Sequence, residues 1–382
     1  MQIKRSVGIV GGGPGGLTLA RILATRGIAS TVFEVDEHPL ARPQGGSLDL
    51  HAESGQLALR EAGLEAPFKA LARYDDQWGA IYDQHGVLHF EHTEASGPDR
   101  PEIDRTQLRD VLLASLPRET IRWDSKVAAV EPLADGRYRV AGETGALGEF
   151  DLVVGADGAW SKVRTLVSKE VPSYTGLLAI ELSIDDVDTQ HPAVATLIPR
   201  GKISAKGSWR GFIAQRSSHG HVRVYVMFRV PEARLRDFVD LSSPDRARAA
   251  LKALLSGWAP SMLAFIDASS DIIVPRPIVA LPVGHRWSHR PGITLLGDAA
   301  HVMPPFSGEG VNMAMLDALE LALRLSGSSD WSAAVASYEN AMFTRAASAA
   351  AGAMLGLNFI SEDGLAHSLQ HFRNLQHPGQ VL

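Results

Sequence analysis

The residues with the clearest chemical implication are three glycines near the amino terminus, Gly11, Gly13 and Gly16, in the sequence IVGGGPGGLTLA. They follow a short apolar run and precede a helical pattern, so the backbone can approach an anion that the helix N-terminus also attracts. Glu34 ends the next apolar segment, where a carboxylate can accept hydrogen bonds from ribose hydroxyls. This pattern predicts a dinucleotide site and leaves FAD and NAD open. An ordinary glycine turn is the alternative.

Two later segments place polar residues directly after apolar runs. Asp157, in LVVGADGAWSKVR, could approach a second phosphate, or it could cap the start of a helix, as Ser161 could. Asp298, in GDAAHVMPPFSGEGVN, follows another apolar run, and a long helix begins near Glu309. Parallel sheets of α/β proteins bind ligands at the carboxyl ends of their strands. A helix N-terminus at that edge would stabilise the charge of a reduced flavin. A loop that only joins two elements is the alternative.

Other polar side chains give weaker indications of chemistry. His51 and His301 each lie in a dense turn or loop, so we expect structural hydrogen bonds rather than acid–base catalysis. No Ser–His–Asp set is recognisable, and no side chain is assigned a catalytic role. The 14 histidines are scattered along the chain and there are no cysteines, so we expect no metal site, thiolate chemistry or disulfide.

The elements that would position these residues alternate between strand and helix patterns. The apolar runs 7–10, 30–35, 150–154 and 293–296 predict buried parallel strands, and residues 174–230 and 272–283 predict a largely β region. Helical patterns cover residues 17–27, 55–72, 106–116, parts of 232–267, 310–325 and 331–357. The fold class is therefore α/β, with a Rossmann-like nucleotide-binding domain interleaved with a β-sheet substrate domain, plus C-terminal helices. The predicted boundaries are 1–172 with 268–330, then 173–267, then 331–382.

The segment HVRVYVMF, residues 221–228, alternates clearly between apolar and mixed positions. Its valines and Phe228 should pack into a core, since successive side chains of a strand point to opposite faces. Arg223, Tyr225 and Met227 should then face either a ligand cavity or solvent.

The composition excludes several classes of partner. A net charge of −6 and a pI near 6.2 give no basic surface for nucleic acid or anionic lipid. No run approaches the length of a membrane span, and the first apolar run is too short for a signal peptide. We therefore expect a cytoplasmic protein, monomeric, with neither nucleic-acid nor membrane partners.

The three glycine- and aspartate-containing segments, in this order and spacing, resemble those of the group A flavin monooxygenases typified by para-hydroxybenzoate hydroxylase. The stretches 41–56, 101–109 and 297–312 are also similar to those of the tetracycline-inactivating flavin monooxygenases. The resemblance implies FAD as cofactor without a separate NAD(P)H domain. It also implies reduction by NADPH or NADH, and oxygen transfer through a flavin hydroperoxide.

The resemblance also implies roles for individual residues. Glu34 would hold the adenosine ribose, Arg105 would meet the pyrophosphate region and Asp298 would bind the ribityl chain. Arg42 and Asp49 would lie near the flavin, and residues 308–312 would face the isoalloxazine ring. The complete predicted set of cofactor-binding residues is Gly11, Gly13, Pro14, Gly16, Glu34, Arg42, Asp49, Arg105, Val127, Asp157, Asp298, Gly308, Gly310, Val311 and Asn312.

The substrate side matches the relatives less well. Their substrate-facing glutamine, arginine and histidine align with Glu181, Lys202 and Arg223, so those roles are not carried over. Val35 replaces the usual arginine after Glu34, and GEG at 308–310 replaces the usual GQG. The residues predicted to face a substrate are Gln215, Arg223, Pro305 and Phe306.

The expected function is hydroxylation of a polycyclic phenol or enol, with tetracycline-type antibiotics as first candidates. The alternatives are hydroxylation of another aromatic or polyketide compound, such as an anthracycline, a rifamycin or a simple phenol, and non-catalytic sequestration of an antibiotic or flavin. For the C-terminal helices, packing against the nucleotide-binding domain is favoured over a lid role.

Overall fold

The computed structural model describes residues 5–41, 45–92 and 100–376. The strands are β1 (Ser6–Val10), β2 (Ala29–Phe33), β3 (Ser47–Asp49), β4 (Gly79–Asp83), β5 (Leu88–His92), β6 (Glu102–Asp104), β7 (Ile121–Arg122), β8 (Val127–Pro132), β9 (Tyr138–Gly142), β10 (Gly145–Phe150), β11 (Leu152–Gly155), β12 (Ser173–Ile184), β13 (Lys202–Gly207), β14 (Arg210–Arg216), β15 (Val222–Arg229), β16 (Ile273–Ala280) and β17 (Ile293–Leu295). The helices are α1 (Pro14–Thr25), α2 (Gly55–Glu61), α3 (Glu65–Leu71), α4 (Arg105–Ala114), α5 (Val187–Gln190), α6 (Pro192–Leu197), α7 (Pro244–Leu254), α8 (Pro260–Asp267), α9 (Asp298–His301), α10 (Glu309–Ser326), α11 (Trp331–Leu355) and α12 (Gly364–Gln376).

The first large sheet is parallel and has the strand order β17-β11-β1-β2-β7. The apolar runs predicted as buried strands form its centre: Val7, Ile9 and Val153 are fully buried. Strands of a parallel sheet are covered on both faces, which is why these runs are continuously apolar rather than alternating. The α/β fold class expected from the sequence is therefore present.

The second large sheet has seven strands in the order β16-β12-β15-β14-β13-β4-β5. It extends beyond the predicted range 173–267, because β4 and β5 come from the amino-terminal region and β16 follows the range. Residues 174–230 are largely β, as expected, and also contain the short helices α5 and α6 between two strands, which were not predicted. Pro192 begins α6, which suits proline because the first helical amide needs no partner.

The two faces of the seven-stranded sheet differ in what covers them. Val222, Val224 and Val226 of β15 are fully buried in the core shared with α7 and α8, which confirms the predicted alternation. We call this the outer face. On the opposite, inner face, Arg223 is also buried, and Met227 packs with Leu357 and Ile360 of the C-terminal region. Arg223 therefore faces the interior of the molecule rather than solvent.

The C-terminal region has two parts with different contacts. Helix α11 packs along α10, next to the parallel sheet. The chain then crosses to the seven-stranded sheet, where Phe372 of α12 lies 5.7 Å from Phe90 of β5, centroid to centroid. Helix α11 packs against the nucleotide-binding region, as the sequence predicted, whereas α12 covers part of the inner face. No helix in the described residues has the length and apolarity needed to cross a bilayer.

Candidate active site

The strands of the parallel sheet bring the predicted motifs to one edge. Val10, Phe33, Gly155 and Leu295 lie in register on β1, β2, β11 and β17. The residues that follow these four positions begin the glycine loop, the Glu34 turn, the Asp157 segment and the Asp298 segment. Because parallel strands end at the same edge, segments up to almost 300 residues apart in sequence meet there.

The glycine loop leaves backbone amides free at the start of α1. Gly13 is the N-cap and no side chain caps the helix, so the first amides have no intrahelical acceptor. A Cβ added to Gly16 would lie 2.1 Å from the Gly11 carbonyl oxygen, which explains why the turn requires glycine at this point. The space around a Cβ at Gly13 is open, so an anion can approach the amides there.

Glu34 is buried at the end of β2 and fixes the glycine loop. Its carboxylate accepts hydrogen bonds from the Gly12 amide (2.7 Å) and the Asp36 amide (3.1 Å). Asp36 in turn accepts from Arg109 (3.0 Å), a buried pair that the sequence analysis missed. The chain passes Glu34 again at Ser125, whose amide donates to the Glu34 carbonyl (2.8 Å), and Val127 begins β8 two residues later. The predicted ribose end of the site is therefore assembled around Glu34.

Asp157 has one satisfied and one unsatisfied carboxylate oxygen. Its Oδ2 accepts from the Lys162 amide (2.7 Å), as the capping alternative predicted. Its Oδ1 is buried without a hydrogen-bond partner in the described part of the chain, and burial raises the pKa of this carboxyl. An unpaired buried oxygen is costly, so it indicates a donor from outside the chain, such as a bound ligand. Arg164 links this segment to the next by donating to the Ala299 carbonyl (3.0 Å).

Asp298 and the residues beneath it form the third part of the site. The Asp298 side chain is exposed at the edge of the sheet. Behind it, fully buried Asp317 accepts from the Gly297 amide (3.0 Å), from His301 (2.6 Å) and from Arg345 (2.9 Å). Although burial acts against it, the charge of Asp317 raises the pKa of His301. The structural hydrogen bond predicted for His301 is confirmed, whereas Asp317 and Arg345 were not foreseen.

Asn312 ties two predicted flavin-facing segments together. Its Oδ1 accepts from the amides of His51 (2.9 Å) and Gly55 (3.3 Å), and its Nδ2 donates to the carbonyls of Asp49 (2.8 Å) and Gly308 (3.1 Å). The side chain is fully buried, so it supports the flavin-facing loops from behind instead of pointing into open space. That support holds the segment after β3 against the start of α10.

The start of α10 is open toward the same space. Gly308 has φ +68° and no side chain caps the helix, while a Cβ at Gly310 would meet nothing within 4 Å. Asp49 lies against this turn, because a Cβ at Gly308 would come within 2.9 Å of its carboxylate. Burial would raise the pKa of Asp49, but His51 and Lys202 outweigh burial and lower it to about 2. Val311 continues the helix between Gly310 and Asn312.

His51 departs from its prediction. The ring is completely buried, yet neither nitrogen has a hydrogen-bond partner among the described residues. The nearest carboxylates are those of Asp49 (3.5 Å) and Glu309 (3.7 Å), which are contacts rather than hydrogen bonds. The expected structural hydrogen bond is therefore absent for His51, and the ring lies between two acidic groups at the flavin-facing turn.

The remaining predicted residues lie on two sides of this space. Arg105 begins α4, donates its amide to the Gly46 carbonyl (3.1 Å), and its guanidinium forms no ion pair with the described residues. Arg42 lies outside the described residues. Pro305 is exposed in the turn Pro305–Ser307, and Phe306 packs against Gly356 of the C-terminal region.

The inner face of the seven-stranded sheet closes the space with a polar cluster. Gln215 donates to Glu102 (3.0 Å), and Arg223 donates to Glu181 (2.6 Å). Gly46 lies next to both, since a Cβ there would be 3.5 Å from the Arg223 Cβ and 3.8 Å from Gln215. Burial, assisted by the charge of Asp49, raises the pKa of Glu102 to about 6. Neither Glu102 nor its bond to Gln215 was predicted.

The arrangement fits an extended dinucleotide with an attached ring system. Free amides at α1, the unpaired Asp157 oxygen, exposed Asp298 and the uncapped start of α10 surround one space at the strand ends. This donor set suits FAD: amides for phosphate, carboxylates for hydroxyl groups, and a helix dipole for an anionic ring. No cluster of potential metal ligands occurs in the described ranges. Fold and site together define a flavin-binding oxidoreductase.

Comparisons with known proteins agree with this class. A family model described as "FAD binding domain" matches residues 4–350, so the chain belongs to that family. The monooxygenase penA of Penicillium thymicola is 32% identical over 366 residues, covering 84% of this chain and 84% of penA. The chain is an FAD-dependent monooxygenase, and the resemblance seen in the sequence is confirmed at that level.

Two solved structures share the fold. The structure of Klebsiella pneumoniae HpxO complexed with FAD and uric acid gives a TM-score of 0.82 at 21% identity, covering 98% of this chain and 94% of HpxO. The tetracycline destructase Tet(51) gives a TM-score of 0.73 at 17% identity, covering 98% of this chain and 97% of that one. Both likenesses concern the fold alone.

Proposed function

We propose that this monooxygenase uses NADPH or NADH and molecular oxygen to hydroxylate a small aromatic or polyketide molecule that bears a phenol or enol. The main support for this proposal is that four segments converge at one edge of the parallel sheet, opposite the inner face of the seven-stranded sheet. They are the glycine loop, the Glu34 turn, the Asp157 segment and the Asp298 segment. Sites between two such regions are the usual location of ligand pockets. Tetracycline-type antibiotics are the first compounds to test, and the HpxO complex with uric acid supports including smaller planar heterocycles.

The residues of this chain would divide the binding work along the FAD molecule. The α1 amides would hold the pyrophosphate, together with Arg105, a cation that forms no ion pair within the described part of the chain. Glu34 and Asp298 would accept hydrogen bonds from the two sugar-like parts. The α10 N-terminus, with Gly308 and Gly310 leaving room, would face the ring. When bound, FAD supplies hydride acceptance from the nicotinamide and activation of oxygen.

The inner face would orient the substrate and exclude water. Gln215 and Arg223 lie beside Gly46, so their polar groups border the flavin-facing loop. Phe306 and the apolar cluster with Met227 cover the neighbouring part of the face. Exclusion of water protects reactive intermediates and strengthens the fixed electrostatic interactions. In this proposal the described side chains position and shield the substrate, and none acts as a nucleophile.

The test is a spectroscopic and kinetic screen of the purified protein. We expect a yellow protein whose flavin is bleached faster by NADPH or NADH when a substrate is present, with oxygen consumption and a product heavier by one oxygen atom. The panel contains tetracyclines, anthracyclines, rifamycins, simple phenols and uric acid. A protein that binds FAD and panel compounds but is never reduced would instead support a sequestering role.

A further inference from the structure

Lys206 is a buried lysine at the far end of the inner face. It lies on β13, where Ile203 and Ala205 point to the outer core and Lys206 to the opposite side. Only 3% of its surface is exposed. Its cross-strand neighbour is Gly211, where an added Cβ would lie 3.5 Å from the Lys206 side chain and 3.1 Å from Ile360, so the C-terminal region packs next to the lysine. The lysine therefore lies inside the molecule, on the face that borders the proposed substrate space.

Aromatic rings of the C-terminal region cover the lysine. The Lys206 ammonium lies 5.8 Å from the centroid of Phe359. The Phe359 ring contacts Phe306, which precedes the flavin-facing turn, at 6.1 Å and His371 of α12 at 5.2 Å. The rings of Phe359, Phe306 and His371 offer flat surfaces of the kind that contact planar ligands. They connect the turn before α10 to Lys206 in a continuous aromatic wall.

No acceptor on the described chain satisfies the Lys206 ammonium. It makes no hydrogen bond or ion pair with the described residues, whereas exposed Lys126 and Lys252 each pair with a carboxylate at 2.7 Å. Burial alone lowers the pKa of Lys206 to about 8, with no carboxylate near enough to oppose it. One aromatic ring compensates only in part for the water that the ammonium of an almost buried lysine loses, so keeping it there costs stability. This cost points to a partner that arrives with a ligand.

The position of Lys206 fits the far end of a ligand that begins at the flavin-facing loop. Lys202 lies four residues earlier on β13, opposite Gln215, which bonds to Glu102 beside that loop. Four residues of strand span about 13 Å. From this geometry we infer that Lys206 binds an anionic oxygen, carboxylate or phenolate, at the distal end of a planar aromatic substrate that packs against Phe359 and Phe306. This inference rests on the proposed function and adds the chemical class of the substrate.

The experiment compares two probes of equal shape, 2-naphthoate and 2-naphthamide, by calorimetric titration into the FAD-loaded protein. The wild type should bind the anion about tenfold more tightly than the amide, the worth of one charged hydrogen bond. Lys206→Met should abolish this preference while FAD stays bound, and Lys206→Arg should retain part of it. Lys252→Met, which removes an exposed lysine of the outer face, is the matched control and should behave as wild type.

A structural role would give a different result. If Lys206 served only to pack on Phe359, Lys206→Met would not change the ratio of the two affinities. An unchanged ratio in that variant, equal affinities in the wild type, or no binding of either probe overturns the inference. Should the methionine variant not fold, the wild-type ratio and Lys206→Arg decide. If the wild type did not bind FAD, or did not oxidise NADPH or NADH, the proposed function would be refuted. That result is distinct from a failure of the inference about Lys206.

Discussion

Asp298 at the start of α9 and Asp317 in the middle of α10 are two aspartates with opposite surroundings. Asp298 is exposed at the sheet edge, while Asp317 is fully buried and satisfied by three donors. A satisfied buried carboxylate is part of the scaffold, whereas an exposed one at a ligand edge is free to bind. Asp317 therefore belongs to the supporting scaffold, and we propose that Asp298 contacts the ligand.

Asp298→Ala should weaken FAD binding by about tenfold, because the variant lacks the carboxylate expected to accept from the ribityl chain. The measurement is the dissociation constant of FAD, with the flavin-to-protein ratio after gel filtration as a second readout. Asp135→Ala, in an exposed turn, is the control and should retain wild-type affinity. Equal flavin retention in both variants would remove Asp298 from the cofactor site.

Asp317→Asn should destabilise the protein by about 3–5 kcal/mol, because it leaves the buried His301 and the Arg345 guanidinium without their carboxylate. Denaturant unfolding of the variant beside Asp135→Asn measures the difference. A loss below 1 kcal/mol would contradict the assigned supporting role.

The same pair predicts a pH dependence. The pKa of His301 is raised above its ordinary value of 6.5 in the folded protein, so its stabilising contribution is complete below pH 6.5 and is lost as pH rises through the raised value. The free energy of unfolding of wild type minus that of His301→Asn should therefore be larger at pH 6 than at pH 9. A difference that grows toward pH 9 would contradict the sign of this linkage.

At the scale of elements, Asn312 joins β3 and the turn after it to the N-terminus of α10. Three of its four hydrogen bonds to the backbone cross about 260 residues of sequence, and the fourth is to Gly308 at the start of its own helix. Since both segments border the proposed flavin ring, their relative position determines the shape of that part of the site. The side chain would thus act on the cofactor through the loops that it holds.

Asn312→Ala should lower the stability by about 2–4 kcal/mol, because it leaves buried amides and carbonyls unpaired. It should also weaken FAD binding, since the loops after β3 and before α10 lose their common anchor. Unfolding curves with and without added FAD measure both effects. Asn340→Ala, at an exposed position of α11, is the control. If Asn312→Ala were as stable and bound FAD as tightly as this control, the anchoring role would be contradicted.

The sequence predicted those parts of the site that depend on local pattern. The glycine loop, Glu34 and Asp298 were recognisable because each follows an apolar strand in a short motif. Asp317 and Arg109 were missed because their partners, Arg345 and Asp36, lie far away along the chain. The same reason explains why β4 and β5 were not assigned to the seven-stranded sheet: strand pairing is non-local and leaves no periodic signal. That Arg223 points into the molecule became evident only from the structure, in which Glu181 and Gly46 lie against it.

At the scale of the whole molecule, the C-terminal region connects the two large sheets. Helix α11 lies along α10 beside the parallel sheet, and Arg229 on the other sheet donates to the Ile360 carbonyl (2.8 Å) that follows it. Helix α12 then lies on the inner face through Phe372. The proposed FAD-binding loops and the proposed cover of the substrate space are thus attached to successive parts of one segment.

This division makes the effect of removing α12 specific. A chain ending at Asp363 keeps α11, the crossing segment and every residue placed in the proposed FAD site, so it should bind FAD with wild-type affinity. It loses Phe372 and His371, which pack with the cover of the inner face, so binding of 2-naphthoate should weaken by about tenfold. Titrations of FAD and of 2-naphthoate measure the two effects on the same sample. Loss of FAD binding together with probe binding would show that α12 supports the fold as a whole, whereas unchanged probe binding would show that it does not enclose the substrate space.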